Sequence, residues 1–484
     1  MSTIILNKKT GRQKLMDNML ECREFGIRDK VGYLLGNVAN DFTFTFASIF
    51  LLVFYTKVLG IASGIVGTMF LIARFIDAFT DITVGRIVDR MKPTDSGRFK
   101  PWIRRMCGPV ALASFLMYQS SVAAAPMWLK ILYMFSTYLI WGSVFYTCIN
   151  IPYGSMASVM SSDPDDRASL STFRSIGSVV ANLAVGVVAP YFIYTSDSFG
   201  NQVVRGEAFP YIAAVFSALA LMCYMLCYYM TTERVKVRSV QNKKRATFSE
   251  TAKALVTNRS LIGIVLASVG ILAAQLLNQS INQYLFIDYF NDKRGVMIMS
   301  LVAMIPGLLL APVAVPLSKR FGKKEVGIFG TLCGALSCYL LFFMRTRSVW
   351  IYIAVNLIGF LGFGVFNLIM WAFITDIIDD SEVKSGHRED GTIYAVYSFA
   401  RKVGQAIAGG LGGWALSLIG FNEALPVQST EVSNGIYTVS TLIPALLYSG
   451  VALSLAFVYP LNKKRVEQNV KILKERSQAD TAQS

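Results

Sequence analysis

Asp77 and Asp81 lie four residues apart inside an otherwise apolar run, and Arg74 precedes Asp77 by three. On a helix this spacing stacks all three on one face, a turn apart. Two carboxylates so placed in low dielectric cannot both stay ionised without compensation. A proton, a sodium ion or the Arg74 guanidinium supplies it. Such a pair suits a cation-coupling site, unstable when empty and stable when loaded; a static Arg74–aspartate pair that locks helices is the alternative. Asn37, Asn40 and Asp41 form a second polar stripe, at i, i+3 and i+4. Amides and a carboxylate on one helix face are fitted to pair with adjacent sugar hydroxyls, though polar residues also serve as glue between helices. Each ionisable group at the centre of a membrane helix costs roughly 2.5–3.5 kcal/mol, so these stripes should face a water-filled cavity.

The run Thr147-Cys-Ile-Asn150-Ile-Pro152-Tyr153-Gly154-Ser155 places a proline and a glycine within a span, where a broken helix can line a binding site. Arg174, Arg401 and Lys402 add cations deep in apolar segments, and Lys402 is too deep to reach the interface easily. Pairing with the Asp77 and Asp81 carboxylates or with a sugar oxygen would occupy Lys402; Arg401 reads as a packing or interfacial residue. The single histidine, His387, falls in a polar stretch, Asp379–Asp390, expected to be a loop. One histidine leaves almost no room for histidine-based metal or triad chemistry. No Walker loop offers a seat for ATP. No metal is expected beyond a transported sodium ion, and no cofactor beyond co-transported H+ or Na+.

The elements that must position these groups are long apolar helices. Of 484 residues 54% are hydrophobic and only 16% charged, against about a quarter charged in soluble domains. Apolar runs near 33–58, 65–88, 106–124, 129–156, 170–194, 209–231, 260–287, 295–317, 326–344, 349–375, 392–419 and 436–460 predict twelve transmembrane helices, each near the ~20 residues that cross a bilayer core. The net charge of +16 is collected between these runs, in Arg86–Arg105, Arg234–Arg259, Lys319–Lys324 and Lys463–Arg476. Retention of basic loops in the cytoplasm accounts for it without nucleic acid and puts both termini on the cytoplasmic side. The seven cysteines show no CxxC spacing and read as small buried apolar residues. No cleavable signal is visible, and the expected location is the cell inner (cytoplasmic) membrane.

The polar stretch between the sixth and seventh runs divides the chain. The expected parts are an N-terminal cytoplasmic segment (1–32), a six-helix bundle (33–231), a basic central loop (232–259), a second six-helix bundle (260–460) and a cytoplasmic tail (461–484). Glycine-containing basic loops recur after the second and eighth runs, Gly85-Arg-Ile-Val-Asp-Arg through Gly97-Arg98-Phe-Lys100-Pro-Trp102 and Leu317-Ser-Lys-Arg-Phe-Gly-Lys-Lys324, as a duplicated major-facilitator fold requires.

Gly67-Thr-Met-Phe-Leu-Ile-Ala-Arg74-Phe-Ile-Asp77-Ala-Phe-Thr-Asp81, with Gly97-Arg-Phe-Lys-Pro-Trp102, Gly32-Tyr-Leu-Leu-Gly-Asn-Val-Ala-Asn-Asp41, Thr375-Asp376-Ile-Ile-Asp379 and Arg401-Lys402-Val-Gly-Gln, resembles the glycoside–pentoside–hexuronide:cation symporter family. Asn150-Ile-Pro-Tyr-Gly-Ser155 is most similar to its glucuronide and xyloside branches. The resemblance implies an all-α membrane protein that is a transporter, not an enzyme. It is expected to act as a monomer on a small sugar within a lipid bilayer. By the resemblance Asp77 and Asp81 match the cation carboxylates, Thr147 a further cation-site position, Asp41 and Arg174 sugar-contacting positions, and Lys402 the lysine of the eleventh span. The expected coupling set is completed by Asn150 and the expected sugar-binding set by Asn37, Tyr153 and Lys402, with salt-bridge or gating roles expected for Arg74, Arg98, Lys100, Asp376 and Asp379. Asn150 replaces an aspartate found in the family's best-known member, and Gly154 replaces a tryptophan. The first departure weakens a sodium site built from three carboxylates and favours protons. The second removes an aromatic platform for a pyranose ring. An efflux carrier or antiporter of the same fold, and an intramembrane metal-dependent transferase, are the rival readings.

Overall fold

The structure, a computed structural model, describes residues 23–90, 94, 96–235, 258–385 and 390–483. His387 and most of the basic central loop lie outside the described residues. The helices, in chain order, are α1 (Ile27–Val58), α2 (Ser63–Arg90), α3 (Lys100–Leu116), α4 (Met127–Met160), α5 (Asp165–Ile193), α6 (Ala208–Met230), α7 (Arg259–Tyr289), α8 (Lys293–Val302 and Ile305–Phe321), α9 (Lys323–Met344), α10 (Val349–Ser385), α11 (Asp390–Leu418), α12 (Thr430–Val458) and α13 (Lys463–Gln483).

Nine stretches among the described residues are long and apolar enough to cross a membrane, in α1, α4 to α10 and α12. Three further helices, α2, α3 and α11, have visible reasons for falling short. Helix α3 has 17 residues, while α2 and α11 carry the Arg74/Asp77/Asp81 and Arg401/Lys402 charges in mid-length.

Two helices run further than apolar counting predicts. Helix α1 starts at Ile27, six residues before its apolar run, because Asp29 is fully buried there. Its carboxylate takes hydrogen bonds from Arg23 (2.6 Å), Arg234 (2.9 Å) and the Thr232 backbone N–H (3.0 Å). Helix α10 runs to Ser385, so Asp379 is helical and not in a loop as expected. Here the buried side chain is Asp380, held by Lys384, Ser260 (3.3 Å), Asn469 (3.2 Å) and Arg465 (3.4 Å). Buried carboxylates persist where donors surround them, and a hydropathy count cannot see donors from distant segments. The all-α expectation also needs one addition. Tyr194–Ser196 and Gln202–Val204 pair as an antiparallel hairpin, β1 and β2, across a turn with Gly200 at φ +83°.

Helix α1 packs against α5, α6 and α7, α7 against α11 and α12, and α9 against α10 and α12. A close crossing joins α2 to α11. A Cβ on Gly413 would stand 2.3 Å from the Ser63 carbonyl oxygen and 2.7 Å from the Gly67 nitrogen, so only hydrogen fits there. This crossing lies at the end of the bundle that carries the hairpin. Also at that end, Tyr194 donates to Gln283 (2.9 Å), Lys293 donates to the Tyr194 carbonyl (3.1 Å), and Lys57 pairs with Asp288 (2.5 Å).

Candidate substrate and cation site

Helix α2 presents Arg74, Asp77 and Asp81 as a half-buried face. Arg74 Nη1 lies 3.2 Å from Asp77 Oδ2, and Ser143 of α4 donates its hydroxyl to the other oxygen of Asp77. Lys402 of α11 reaches Asp81 Oδ2 at 2.5 Å. The i, i+3, i+7 spacing therefore places one carboxylate against α4 and the next against α11, each with its own cation.

The polar stripe of α1 divides between two neighbours. Asn37 donates to Asp41 Oδ2 (2.8 Å) and to Ser178 of α5 (2.8 Å), and it accepts from Arg174 Nε (3.1 Å). Asn40 turns away to accept from the Tyr224 hydroxyl of α6 at 2.9 Å. One stripe was expected; the structure gives a site pair, Asn37 and Asp41, and a packing residue, Asn40. A single step of 100° per residue separates the two faces.

Helix α4 is continuous through Pro152, contrary to the expected break. Pro152 removes the N–H that would serve the Cys148 carbonyl four residues earlier, and the indole N–H of Trp102 on α3 takes its place. Tyr153 is buried, stacked on Tyr33 at 4.7 Å, with its hydroxyl donated to the Tyr33 carbonyl (2.7 Å). In this conformation it backs Arg174, whose guanidinium lies 5.6 Å from its ring. Thr147 is buried and bonds its own helix at the Gly142 carbonyl (3.3 Å), and Asn150 is half-buried.

The remaining expected residues stand apart from this cluster. Arg98 donates twice to the Val88 carbonyl, at 3.0 and 2.9 Å. Lys100 lies 5.1 Å from the Tyr228 ring, Lys323 pairs with Asp376 at 2.6 Å, and Asp379 is half-buried three residues on. Arg401 lies 5.9 Å from the Tyr397 ring, on the face of α11 next to Lys402.

A cavity between α1, α2, α4, α7 and α11 is lined by Phe44, Phe70, Arg74, Tyr138, Trp141 and Gln405 among others. Arg74 lies 5.7 Å from the Phe44 ring, which stacks on Tyr146 at 5.6 Å. Of the two polar clusters, Arg74 is the member that lines this cavity. No group of three or more His, Cys, Asp or Glu able to hold a metal occurs among the described residues.

Sequence reasoning missed Ser143, Glu233 and the Lys57–Asp288 pair. The only signal for Ser143 was its place four residues before Thr147. Glu233, just past α6, accepts from the backbone N–H groups of Arg98, Phe99 and Lys100 at 2.7, 2.8 and 2.7 Å.

Residues 32–463 match the profile of the family described as MFS/sugar transport protein. The chain belongs to that family. It is 31% identical over 460 residues to the uncharacterized symporter YjmB of Bacillus subtilis (strain 168), covering 94% of this chain and 97% of the relative. It is 31% identical over 447 residues to the glucuronide carrier protein homolog of Escherichia coli (strain K12), covering 92% and 94%. The solved structure of the nucleoside transporter NupG superposes with a TM-score of 0.63 at 12% identity, over 90% of this chain and 99% of that one. The MFS/sugar transport family consists of membrane carriers, which removes the transferase reading.

Proposed function

We propose that this MFS/sugar transport family member is a cation-coupled symporter of a glycoside, pentoside or hexuronide, working by alternating access. The observation that carries this is the Lys402–Asp81 contact beside the Arg74–Asp77 pair. A cation arriving at Asp81 competes with Lys402 and frees its ammonium for a sugar oxygen. Loading of the ion and affinity for the sugar are then two faces of one equilibrium, and each must raise the other by the same factor. Asp41, Asn37, Arg174 and Lys402 are the sugar-contacting set in this reading, with Tyr153 behind them. Asp77, Asp81, Thr147 and Asn150 are the coupling set, and Arg98, Lys100, Asp376 and Asp379 belong to gating contacts.

Twelve spans in two six-helix halves, with both termini cytoplasmic in the inner membrane of a monomer, complete the proposal. The basic loops and the family match support it. Protons are favoured over sodium because Asn150 supplies an amide where a third carboxylate would strengthen a sodium site. The Escherichia coli relative's name supports a glycoside or uronide as cargo. The test is uptake into proteoliposomes with imposed proton or sodium gradients. Uptake of every sugar offered that ignores collapse of both gradients sinks the symport reading.

A further inference from the structure

The β1–β2 hairpin joins α5 to α6, yet it is gripped from the corner between α7 and α8. Asn291, in that corner, donates to the Gly200 carbonyl (3.1 Å) and accepts the Gln202 backbone N–H (2.5 Å). Its φ is +53°, a left-handed conformation that asparagine tolerates better than most residues. Two residues on, Lys293 donates to the Tyr194 carbonyl at 3.1 Å. The Tyr194 hydroxyl donates to Gln283 of α7 at 2.9 Å, and both of these residues are buried. Each strand of the hairpin is therefore held from outside. Nearby, α5 meets α8 so closely that a Cβ on Gly186 would stand 2.6 Å from that of Ser300.

A two-stranded hairpin of three residue pairs is marginal on its own. Asp197 fixes the turn by accepting the backbone N–H groups of Phe199 (2.9 Å) and Asn201 (2.8 Å), but it does not bind the strands. Their order depends on the α7–α8 corner. In the alternating-access reading above, on which this inference rests, α5 and α6 belong to one bundle, α7 and α8 to the other, and this end faces outward. We propose that the hairpin is a strap holding the outer mouth closed, with Asn291 as its clasp. Rocking the bundles apart at this end breaks the four hydrogen bonds to Asn291, Lys293 and Gln283 together. It also releases a hairpin that cannot keep its register alone. The strap thereby weights the equilibrium toward the outward-closed form. Asn291 is exposed, so its bonds compete with water and contribute modestly, which leaves the closed form favoured but not locked.

The first test uses right-side-out membrane vesicles carrying the full-length chain. A cysteine replacing Ser280, on the cavity wall, reports opening through its rate of reaction with an impermeant maleimide, with the chain lacking that cysteine as the blank. Asn291→Gly keeps the left-handed backbone without strain and removes only the side chain. It should raise the labelling rate about tenfold, as the loss of two exposed hydrogen bonds implies, and Tyr194→Phe should raise it about threefold. The second test is uptake by purified full-length protein in proteoliposomes, with methyl β-glucoside, methyl β-xyloside and methyl β-glucuronide as probes. Gln202→Cys with Asn291→Cys, bridged by a short reducible bis-thiosulfonate, should lower uptake at least about tenfold, and reductant should restore it. Each single-cysteine variant treated alike should keep its uptake. Unchanged labelling in Asn291→Gly, or full uptake with the bridge in place, would overturn the strap. Uptake of no probe by the wild type on either a proton or a sodium gradient would count instead against symport, and the labelling test would still decide the strap. Asn291→Gly gives that decision even if Tyr194→Phe fails to fold.

Discussion

The indole N–H of Trp102 donates to the carbonyl oxygen of Cys148, the atom that Pro152 leaves without its helical donor. The Phe99-Lys-Pro-Trp102 motif of α3 thereby repairs the proline of α4, and the two segments act as one unit. Trp102→Phe should strand a buried carbonyl and cost about 1–3 kcal/mol. Pro152→Ala restores the local N–H and should cancel most of that loss. A double-mutant cycle read by thermal unfolding in detergent checks this, and strictly additive effects would sink it.

Lys57 and Asp288, 7% and 2% exposed, join the ends of α1 and α7 at the hairpin end of the bundle. Breaking a buried pair from one side typically costs about 3–5 kcal/mol, whereas replacing both partners with apolar groups can be neutral. Asp288→Asn should therefore favour opening at that end. Labelling of a cysteine at Thr56 by an impermeant maleimide should rise, and Lys57→Met with Asp288→Leu should bring it back down. Unchanged labelling in the single variant would show that the pair does not hold this end shut.

Glu233 satisfies three successive backbone N–H groups at the start of α3. Glu233→Ala should destabilise the protein by about 1–2 kcal/mol, the upper range for a lost helix cap. Gly97 has φ +108°, and a Cβ there would stand 2.5 Å from the Glu233 carboxyl carbon. Gly97→Ala should thus lower the melting temperature too, and combining both changes should cost less than their sum. Thermal shift assays on the three variants are sufficient.

Much of the chamber was legible because charge inside an apolar run has few cheap explanations. Arg74, Asp77, Asp81 and Lys402 stood out on that ground, and the helical period placed the first three correctly on one face. What was hidden depended on partners remote in sequence. Lys57 and Asp288 are 231 positions apart, and each looks like an ordinary residue near the end of a span. Asp29 and Asp380 read as loop residues until the donors around them are known. The proline signal in α4 was misread as a break for the same reason, since Trp102 belongs to another helix.

Asp81 and Lys402 give the most direct functional prediction. Asp81→Asn leaves Lys402 without its partner and removes a protonatable oxygen. Lys402→Gln leaves Asp81 unneutralised. Both variants should lose accumulation against a gradient while equilibrium sugar exchange persists at a measurable rate. Normal concentrative uptake in either one would defeat the coupling assignment.

Helix α8 is interrupted after Val302 and carries Pro306, Pro312 and Pro316 in its second part. Pro312 and Pro316 each delete one rung of the lengthwise ladder and push against the carbonyl a turn behind, while Pro306 opens the second part, where its missing N–H has no partner to lose. Its neighbours α9 and α10 carry no proline, so a rod assembled from pieces is where flexing meets least resistance. Any rocking of the assembly should thus be absorbed first by this jointed column, and its slope relative to α10 should differ most between opposite-facing states.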